Sequence, residues 1–314
     1  MPKRVLLLIG PTSSGKSKLA LALARKINGE IISCDSMQVY RGMNIGTAKP
    51  TQEEQKLVPH HLIDLMSPRT ECSVFKHCQL TLKAIDQILQ KGHTPIIVGG
   101  SGLYCKALLD GLTPQPGQQI KIREKLEKLA KLKGVKHLYS QLKKMDPKRA
   151  HALHQNDKRR IIRALEISES SKYVQSDSEQ RAGSLNSKGI EFIIFGLLRN
   201  REELYERIEG RIDQMFQEGW IDEVKRVKRV GLSKTAKAAI GYQEILEYLE
   251  GKRTLEETEA QIKKRTRHLA KKQMTWFRKD KRIHWLSISG NKFVPSTVQT
   301  IVKNWAVGLN YAAR

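Results

Sequence analysis

Gly10-Pro11-Thr12-Ser13-Ser14-Gly15-Lys16-Ser17 is the stretch whose residue types and spacing most clearly could do chemistry, and that chemistry concerns phosphate. Its glycines let successive backbone N–H groups converge on an anion with no Cβ in the way. Lys16 adds a point charge, and Ser17 is placed to ligate a Mg²⁺ that bridges phosphate oxygens. A helix starting near Lys16 would aim its positive dipole end at the same group. A glycine-rich turn that binds nothing is the simpler alternative. The context favours the phosphate loop, because the apolar run Val5-Leu6-Leu7-Leu8-Ile9 precedes it and the amphipathic Leu19-Ala20-Leu21-Ala22-Leu23-Ala24 follows.

The elements that must position this loop read as an α/β arrangement. Residues 5–9, Ile31–Ser33 and Pro95–Val98 are strand candidates, each ending in a polar or glycine-rich turn. In open α/β sheets ligands collect beyond the carboxyl ends of strands, so the loop, Asp35-Ser36 and Gly99-Gly100-Ser101-Gly102 should line one crevice. Thr113-Pro114-Gln115-Pro116-Gly117 is a breaker cluster and a domain exit. Beyond it the chain turns helical and basic: residues 118–163 hold fifteen Lys or Arg against four Asp or Glu. Segment 170–188 reads as a mobile loop, and Ile190-Glu191-Phe192-Ile193-Ile194-Phe195-Gly196 returns to the sheet. The expected division is a core of 1–117 and 189–314 interrupted by a basic helical insertion, 118–188. Helix-period apolar positions such as Ile208, Ile212, Met215 and Phe216 mark the C-terminal part as helical.

With 314 residues the chain can bury one large core or two moderate ones, and its formal charge of +25 points outward to a polyanion or an acidic surface. No apolar run approaches the roughly 20 residues of a bilayer span, so a cytoplasmic, membrane-free protein is expected. The four cysteines, Cys34, Cys72, Cys78 and Cys105, form no C-x-x-C pair and read as free thiols. Besides the insertion, residues 263–282 carry ten Lys or Arg and only Asp280 as an acid, interleaved with Trp276 and Phe277. Such runs can be solvated faces; two of them, on so basic a chain, fit a phosphate backbone with rings to stack on splayed bases.

Asp35 stands at the end of a strand candidate, nineteen positions after Lys16, where it could take a proton from a nucleophile held over the phosphate or simply cap a turn. The run Asp35-Ser36-Met37-Gln38-Val39-Tyr40-Arg41-Gly42-Met43-Asn44-Ile45-Gly46-Thr47-Ala48-Lys49-Pro50 decides more. With the phosphate loop, Pro59-His60-His61-Leu62-Ile63-Asp64, Gly99-Gly100-Ser101-Gly102-Leu103-Tyr104 and Arg159-Arg160-Ile161-Ile162-Arg163-Ala164-Leu165-Glu166, it resembles the bacterial tRNA dimethylallyltransferases. The resemblance continues through Arg211-Ile212-Asp213-Gln214-Met215, Ala239-Ile240-Gly241-Tyr242-Gln243-Glu244 and Gln273-Met274-Thr275-Trp276-Phe277-Arg278, nearly the whole chain.

That resemblance implies a P-loop NTPase-like parallel sheet core with a helical insertion domain, and transfer of a dimethylallyl group from its diphosphate to N6 of adenosine 37, next to the tRNA anticodon. It implies Asp35 as general base, Arg211 on the diphosphate, and Ser101, where the family usually has threonine, orienting both substrates. The implied diphosphate cradle is Gly10 to Ser17, with Mg²⁺ on Ser17. The implied contacts to the tRNA anticodon stem-loop are Asp35, Ser36, Met37, Gln38, Ser101, Arg123, Arg159, Arg160, Ile161, Ile162 and Arg163. Met37 replaces the family's arginine; Gln38 could still read an adenine edge. His60 and His61 read as packing or turn residues, and Tyr40, Tyr104 and Tyr242 as core aromatics. A monomer is expected.

Three other readings stay open. A small-molecule kinase would use the same loop on ATP, but rarely needs such charge and brings lid arginines not identifiable here. A prenyltransferase acting on free adenine nucleotides would have no use for the basic insertion. An RNA-binding NTP switch would need a second acidic Mg²⁺-holding motif, which is not evident.

Overall fold

The computed structural model describes residues 3–112, 119–170 and 183–307. The chain separates into two compact units, residues 1–112 with 183–314 and residues 113–182.

The first unit is built on a parallel sheet of β1 (Arg4–Ile9), β2 (Gly29–Ser33), β3 (His60–His61), β4 (Thr94–Gly99), β5 (Glu191–Leu198) and β6 (Ile283–Ser287), in the order β3-β2-β4-β1-β5-β6. Leu6, Leu7 and Leu8 of β1 are fully buried, as a central strand covered on both faces requires. The register pairs Ile9 with Gly99 on one side and Gly196 on the other. The carboxyl ends of β1 and β4 therefore finish level, β5 runs two residues further beside β6, and the loops that follow share one edge. β3 and β6 did not stand out in the sequence. β3 is two residues long, and β6 lies against the basic stretch that ends at Arg282.

Helices cover both faces. Leu19, Ala20 and Leu23 of the helix Lys16–Lys26 pack with Leu6, Leu8 and Phe195, while Ile85 and Ile88 of the helix Val74–Gln90 pack with Leu7 and Ile97. A further core gathers Val39, Tyr40 and Met43 with Ile208, Ile212, Trp220 and Tyr242 from the C-terminal helices. The helix Arg201–Gln217 starts where the Asn200 side chain accepts from the N–H groups of Glu202 and Glu203, and Leu255–Phe277 starts with a Thr254–Glu257 capping box. These caps set the phase of the helices that carry Arg211 and Gln273.

The boundary of the insertion differs from the sequence expectation. Residues 183–188 belong to the sheet unit: Leu185 is fully buried, donates its N–H to the Leu108 carbonyl at 2.9 Å and packs in the core below β1. The breaker cluster 113–117 and residues 171–182 of the expected mobile loop lie outside the described residues. The second unit contains the helices Ile120–Lys133, Val135–Met145, Pro147–His151 and Lys158–Ser170, with Leu126, Leu138, Leu142, Ile161, Ile162 and Leu165 inside. Among the described residues no helix is long and apolar enough to cross a membrane.

Candidate active site

The loop after β1 uses the backbone freedom its sequence promises. Gly10, Ser13 and Gly15 have φ of +149°, +59° and +99°. A Cβ on Gly15 would meet the Phe293 ring at 2.7 Å, so glycine is also required by contact. Lys16 is half-buried and its Nζ folds back to donate to the Pro11 carbonyl at 2.6 Å. Burial, and then the nearby Arg211 charge, pushes its pKa down to about 7. The side-chain oxygens of Ser13 and Ser14 are buried with no hydrogen-bond partner in the protein. Orphaned polar groups are costly, so this cradle is built for a polar occupant.

Three arginines hold the loop from outside. Arg199 donates to the Ser14 carbonyl at 3.4 Å, Arg207 to the Ser13 carbonyl at 3.1 Å, and Arg211 to the Thr12 hydroxyl at 3.2 Å. Burial lowers the Arg211 pKa, and the facing Asp35 charge opposes that shift. Arg207 and Arg211 line the same cleft, of about 690 Å³, as Lys16, Ser17, Asp35, Gln38, Gly99, Gly100 and Gln273. The three strand-end turns thus meet as expected. Gln273 closes the ring: its Oε1 accepts from Thr12 N at 2.9 Å and its Nε2 donates to the Gly100 carbonyl at 3.0 Å.

Asp35 sits in a side-chain turn, its Oδ1 accepting from Met37 N at 2.8 Å. Ser36 lies half-buried in that turn, and Met37 packs partly buried against the helical core. Gln38 departs from expectation. Its Oε1 accepts from the Ser33 hydroxyl at 2.7 Å and its Nε2 donates to the carbonyls of Thr47 and Ala48 at 3.2 and 3.1 Å. An amide with both ends engaged holds the wall of the cleft and is not free to read a base. Ser101 precedes the helix Gly102–Asp110, and its hydroxyl makes no cap hydrogen bond; Gly99 and Gly100, not Ser101, form the cleft wall.

In the helical unit Glu166 is fully buried, accepts from Gln119 N at 2.7 Å and Arg123 at 2.8 Å, and forms an ion pair with Arg163 at 3.0 Å. Burial alone would raise its pKa; these hydrogen bonds outweigh that and lower it. Arg159 is exposed, and Arg160 is exposed with Asp157 beside it at 3.4 Å. Ile161 and Ile162 correct the expectation of contact: at 0% and 2% exposure their side chains fill this unit's core. They share a helix with the surface arginines but occupy its opposite face.

The histidines and tyrosines behave as structural residues. His61 pairs with buried Glu30 at 2.6 Å, and His60 Nδ1 meets the Val58 carbonyl at 2.7 Å with its pKa lowered by burial. Tyr40 accepts from Cys72 N at 3.2 Å, Tyr104 lies edge-on to His77, and Tyr242 donates to Glu223 at 2.7 Å. Sequence reasoning missed Arg199 and Arg207 and gave Gln273 no role. Arg207 precedes Arg211 by one helical turn, which was the available signal; nothing local connects Gln273 with Thr12.

For Mg²⁺ the donor chemistry is partial. Among the described residues no cluster of three His, Cys, Asp or Glu could hold a metal. Ser17 lines the cleft beside the cradle, and Asp35 lies across it. One hydroxyl and one carboxylate fit an ion that takes most of its ligands from phosphate oxygens and water.

A phosphate cradle at the carboxyl edge of a parallel sheet, faced by a carboxylate and arginines, defines a P-loop-type phosphate-ester enzyme. The family model described as IPP transferase matches residues 38–280. The chain is 43% identical over 303 residues to the tRNA dimethylallyltransferase of Acetivibrio thermocellus, covering 96% of this chain and 95% of that one. It is 44% identical over 305 residues to that of Carboxydothermus hydrogenoformans, covering 96% and 97%. The crystal structure of the full-length tRNA isopentenylpyrophosphate transferase of Bacillus halodurans superposes with a TM-score of 0.69 at 38% identity, covering 97% of both chains. A eukaryotic dimethylallyltransferase acting on tRNA gives a TM-score of 0.77 at 25% identity over 97% of this chain and 80% of that one. The chain belongs to the tRNA dimethylallyltransferase (IPP transferase) family.

Proposed function

We propose that this protein transfers the dimethylallyl group of dimethylallyl diphosphate to N6 of adenosine 37 in the tRNA anticodon stem-loop and releases diphosphate. The observation that carries this reading is the placement of Asp35 and the phosphate cradle on one cleft, with Arg211 in contact with the cradle and subject to the Asp35 charge. Adenine N6 is a poor nucleophile because its lone pair is delocalised into the ring, so a carboxylate that takes its proton as the N–C bond forms assists the attack. Asp35 is that group. The bond between the allylic carbon and the diphosphate oxygen breaks, and negative charge gathers on the leaving group. Loop N–H groups, Lys16, Arg207 and Arg211 are preorganised donors for it.

The buried, unpartnered hydroxyl of Ser13, which lines the cleft, would gain an acceptor in the same oxygens. Mg²⁺ bound through Ser17 would supply further charge neutralisation at the diphosphate. A base can be modified in a folded loop only when swung from its stack, and Arg123, Arg159, Arg160 and Arg163 supply positive charge to offset that cost through phosphate contacts.

The test is incubation with dimethylallyl diphosphate and unmodified tRNA, followed by nucleoside mass analysis. An adenosine heavier by one isoprenyl unit is expected, with a rate loss of about 10²–10⁴-fold in Asp35→Ala. ATP hydrolysis without a prenylated product would overturn the reading.

A further inference from the structure

Glu223 is absent from the sequence argument, yet its carboxylate is among the most heavily bonded in the molecule. It lies on the helix Trp220–Val230 at 2% exposure. Its Oε2 accepts from the backbone N–H groups of Asn44 and Ile45, both at 2.7 Å; its Oε1 accepts from Gly46 N at 3.1 Å and from the Tyr242 hydroxyl at 2.7 Å. Three consecutive amides converging on one point form a concavity that ordinarily holds an anion. Here the chain supplies the anion itself, from 177 residues beyond Gly46. The packing allows no slack around it, since a Cβ on Gly46 would fall 2.2 Å from Trp220 Nε1.

The loop held this way leads to the cleft. Thr47 and Ala48, the next residues, line it, and their carbonyls receive the Gln38 amide at 3.2 and 3.1 Å. The other end of Gln38 is fixed by the Ser33 hydroxyl at 2.7 Å, and Asp35 stands between Ser33 and Gln38 in a turn closed on Met37 N. A hydrogen-bonded chain therefore runs from Glu223 through the amides of residues 44–46, the carbonyls of residues 47–48 and Gln38 to the turn that carries Asp35. The diphosphate cradle is held separately, by Arg199, Arg207, Arg211 and Gln273.

We propose that Glu223 is a positioning residue for the acceptor half of the reaction: by clamping the loop Asn44–Ala48 it sets the wall against which the acceptor base lies and the aim of Asp35, without touching either substrate. This inference rests on the transfer reaction proposed above. The isosteric Glu223→Gln is the sharp variant, because whichever way the amide turns, its NH₂ opposes either two backbone N–H groups or one N–H and the Tyr242 hydroxyl. Hydrogen bonds to charged groups contribute about 1.5–3 kcal/mol each, so kcat/KM for tRNA should fall about 10–150-fold if one such bond is lost.

The measurements are steady-state kinetics with each substrate varied, calorimetric binding of inorganic pyrophosphate, and the backbone amide NMR shifts of Asn44, Ile45 and Gly46. The expected result is a raised KM for tRNA with a lowered kcat, an unchanged KM for dimethylallyl diphosphate, unchanged pyrophosphate affinity and upfield movement of those three amides. Tyr242→Phe keeps the carboxylate but removes one of the two hydrogen bonds to its Oε1, so it should produce the same pattern more mildly, and it serves if Glu223→Gln does not fold. A purely structural role would instead lower the active fraction, reducing kcat while leaving both KM values unchanged; that result, or a parallel loss of pyrophosphate affinity, overturns the proposal. A wild-type protein that prenylates no adenosine defeats the parent reading. A prenylating wild type with an unaffected Glu223→Gln defeats this one alone.

Discussion

Arg211 donates to the hydroxyl of Thr12 at 3.2 Å, tying the helix Arg201–Gln217 to the phosphate loop across 199 residues of chain. The guanidinium is half-buried there and fixed by this contact, as suits a donor that acts on charge developing during reaction. Arg211→Ala should lower kcat by about 10²–10³-fold. Arg211→Lys should recover little, because a point charge on a flexible stem does not reproduce a planar fork. Full recovery by lysine in single-turnover assays would mean that charge alone suffices.

Lys16 makes the stability of the fold sensitive to pH. Its folded-state pKa is about 7 against 10.5 for the free side chain, so between these values the unfolded chain binds more protons and stability rises with pH. Below pH 7 the buried charge imposes its full cost, up to about 5 kcal/mol; above pH 10.5 the cost is gone. Lys16→Met should therefore stabilise the ligand-free protein more at pH 6 than at pH 9 while abolishing pyrophosphate binding. Thermal unfolding at the two pH values checks the first part, and calorimetry the second.

Gln273 bonds to both Thr12 and Gly100, and a Cβ on Gly100 would lie 2.4 Å from Gln273 Nε2. Gln273→Leu and Gly100→Ala should each reduce stability by about 1–3 kcal/mol. They disturb the same pair of contacts, so the double variant should lose little more than the worse single one. Additive losses in chemical denaturation would separate the two positions.

Among the described residues of the helical unit Arg159 and Arg160 are the exposed arginines, whereas Arg123 and Arg163 are engaged with Glu166. If they meet a single-stranded RNA backbone, Arg159→Ala and Arg160→Ala should each flatten the slope of log affinity against log salt by about 0.7 without changing the melting temperature. Arg163→Ala should lower the melting temperature as well, since it leaves part of a buried carboxylate unsatisfied. Binding measured from low to high salt, beside a thermal scan, distinguishes these outcomes.

The phosphate loop, the strands flanking it, the basic insertion and the Asp35 turn were legible in the residues because each depends on local preference: glycine where φ is positive, apolar runs in strands, acidic or hydroxyl residues at turns. The two-residue β3 was not, because it is too short to show a period of its own; β6, as long as β2, offers no apolar run, since His284 interrupts it and the basic stretch ending at Arg282 leads straight into it, and both exist through pairing with a neighbour already in place. The inner end of the insertion was misplaced for a related reason. Leu185 is buried by Leu108, which no window around residue 185 contains.

By itself, the order of amino acids determined where the glycine-bearing loop would lie at the edge of the sheet and which carboxylate would stand near it, since backbone conformation acts over a few residues. Tertiary structure alone decided which distant groups complete the cleft. Gln273 on Thr12, Glu223 on residues 44–46, Gln38 drawn into the wall and Ile161 and Ile162 turned inward all depend on which faces meet. A hydrogen bond between residues far apart in sequence leaves no periodicity in either segment, and it forms only when packing brings donor and acceptor within about 3 Å.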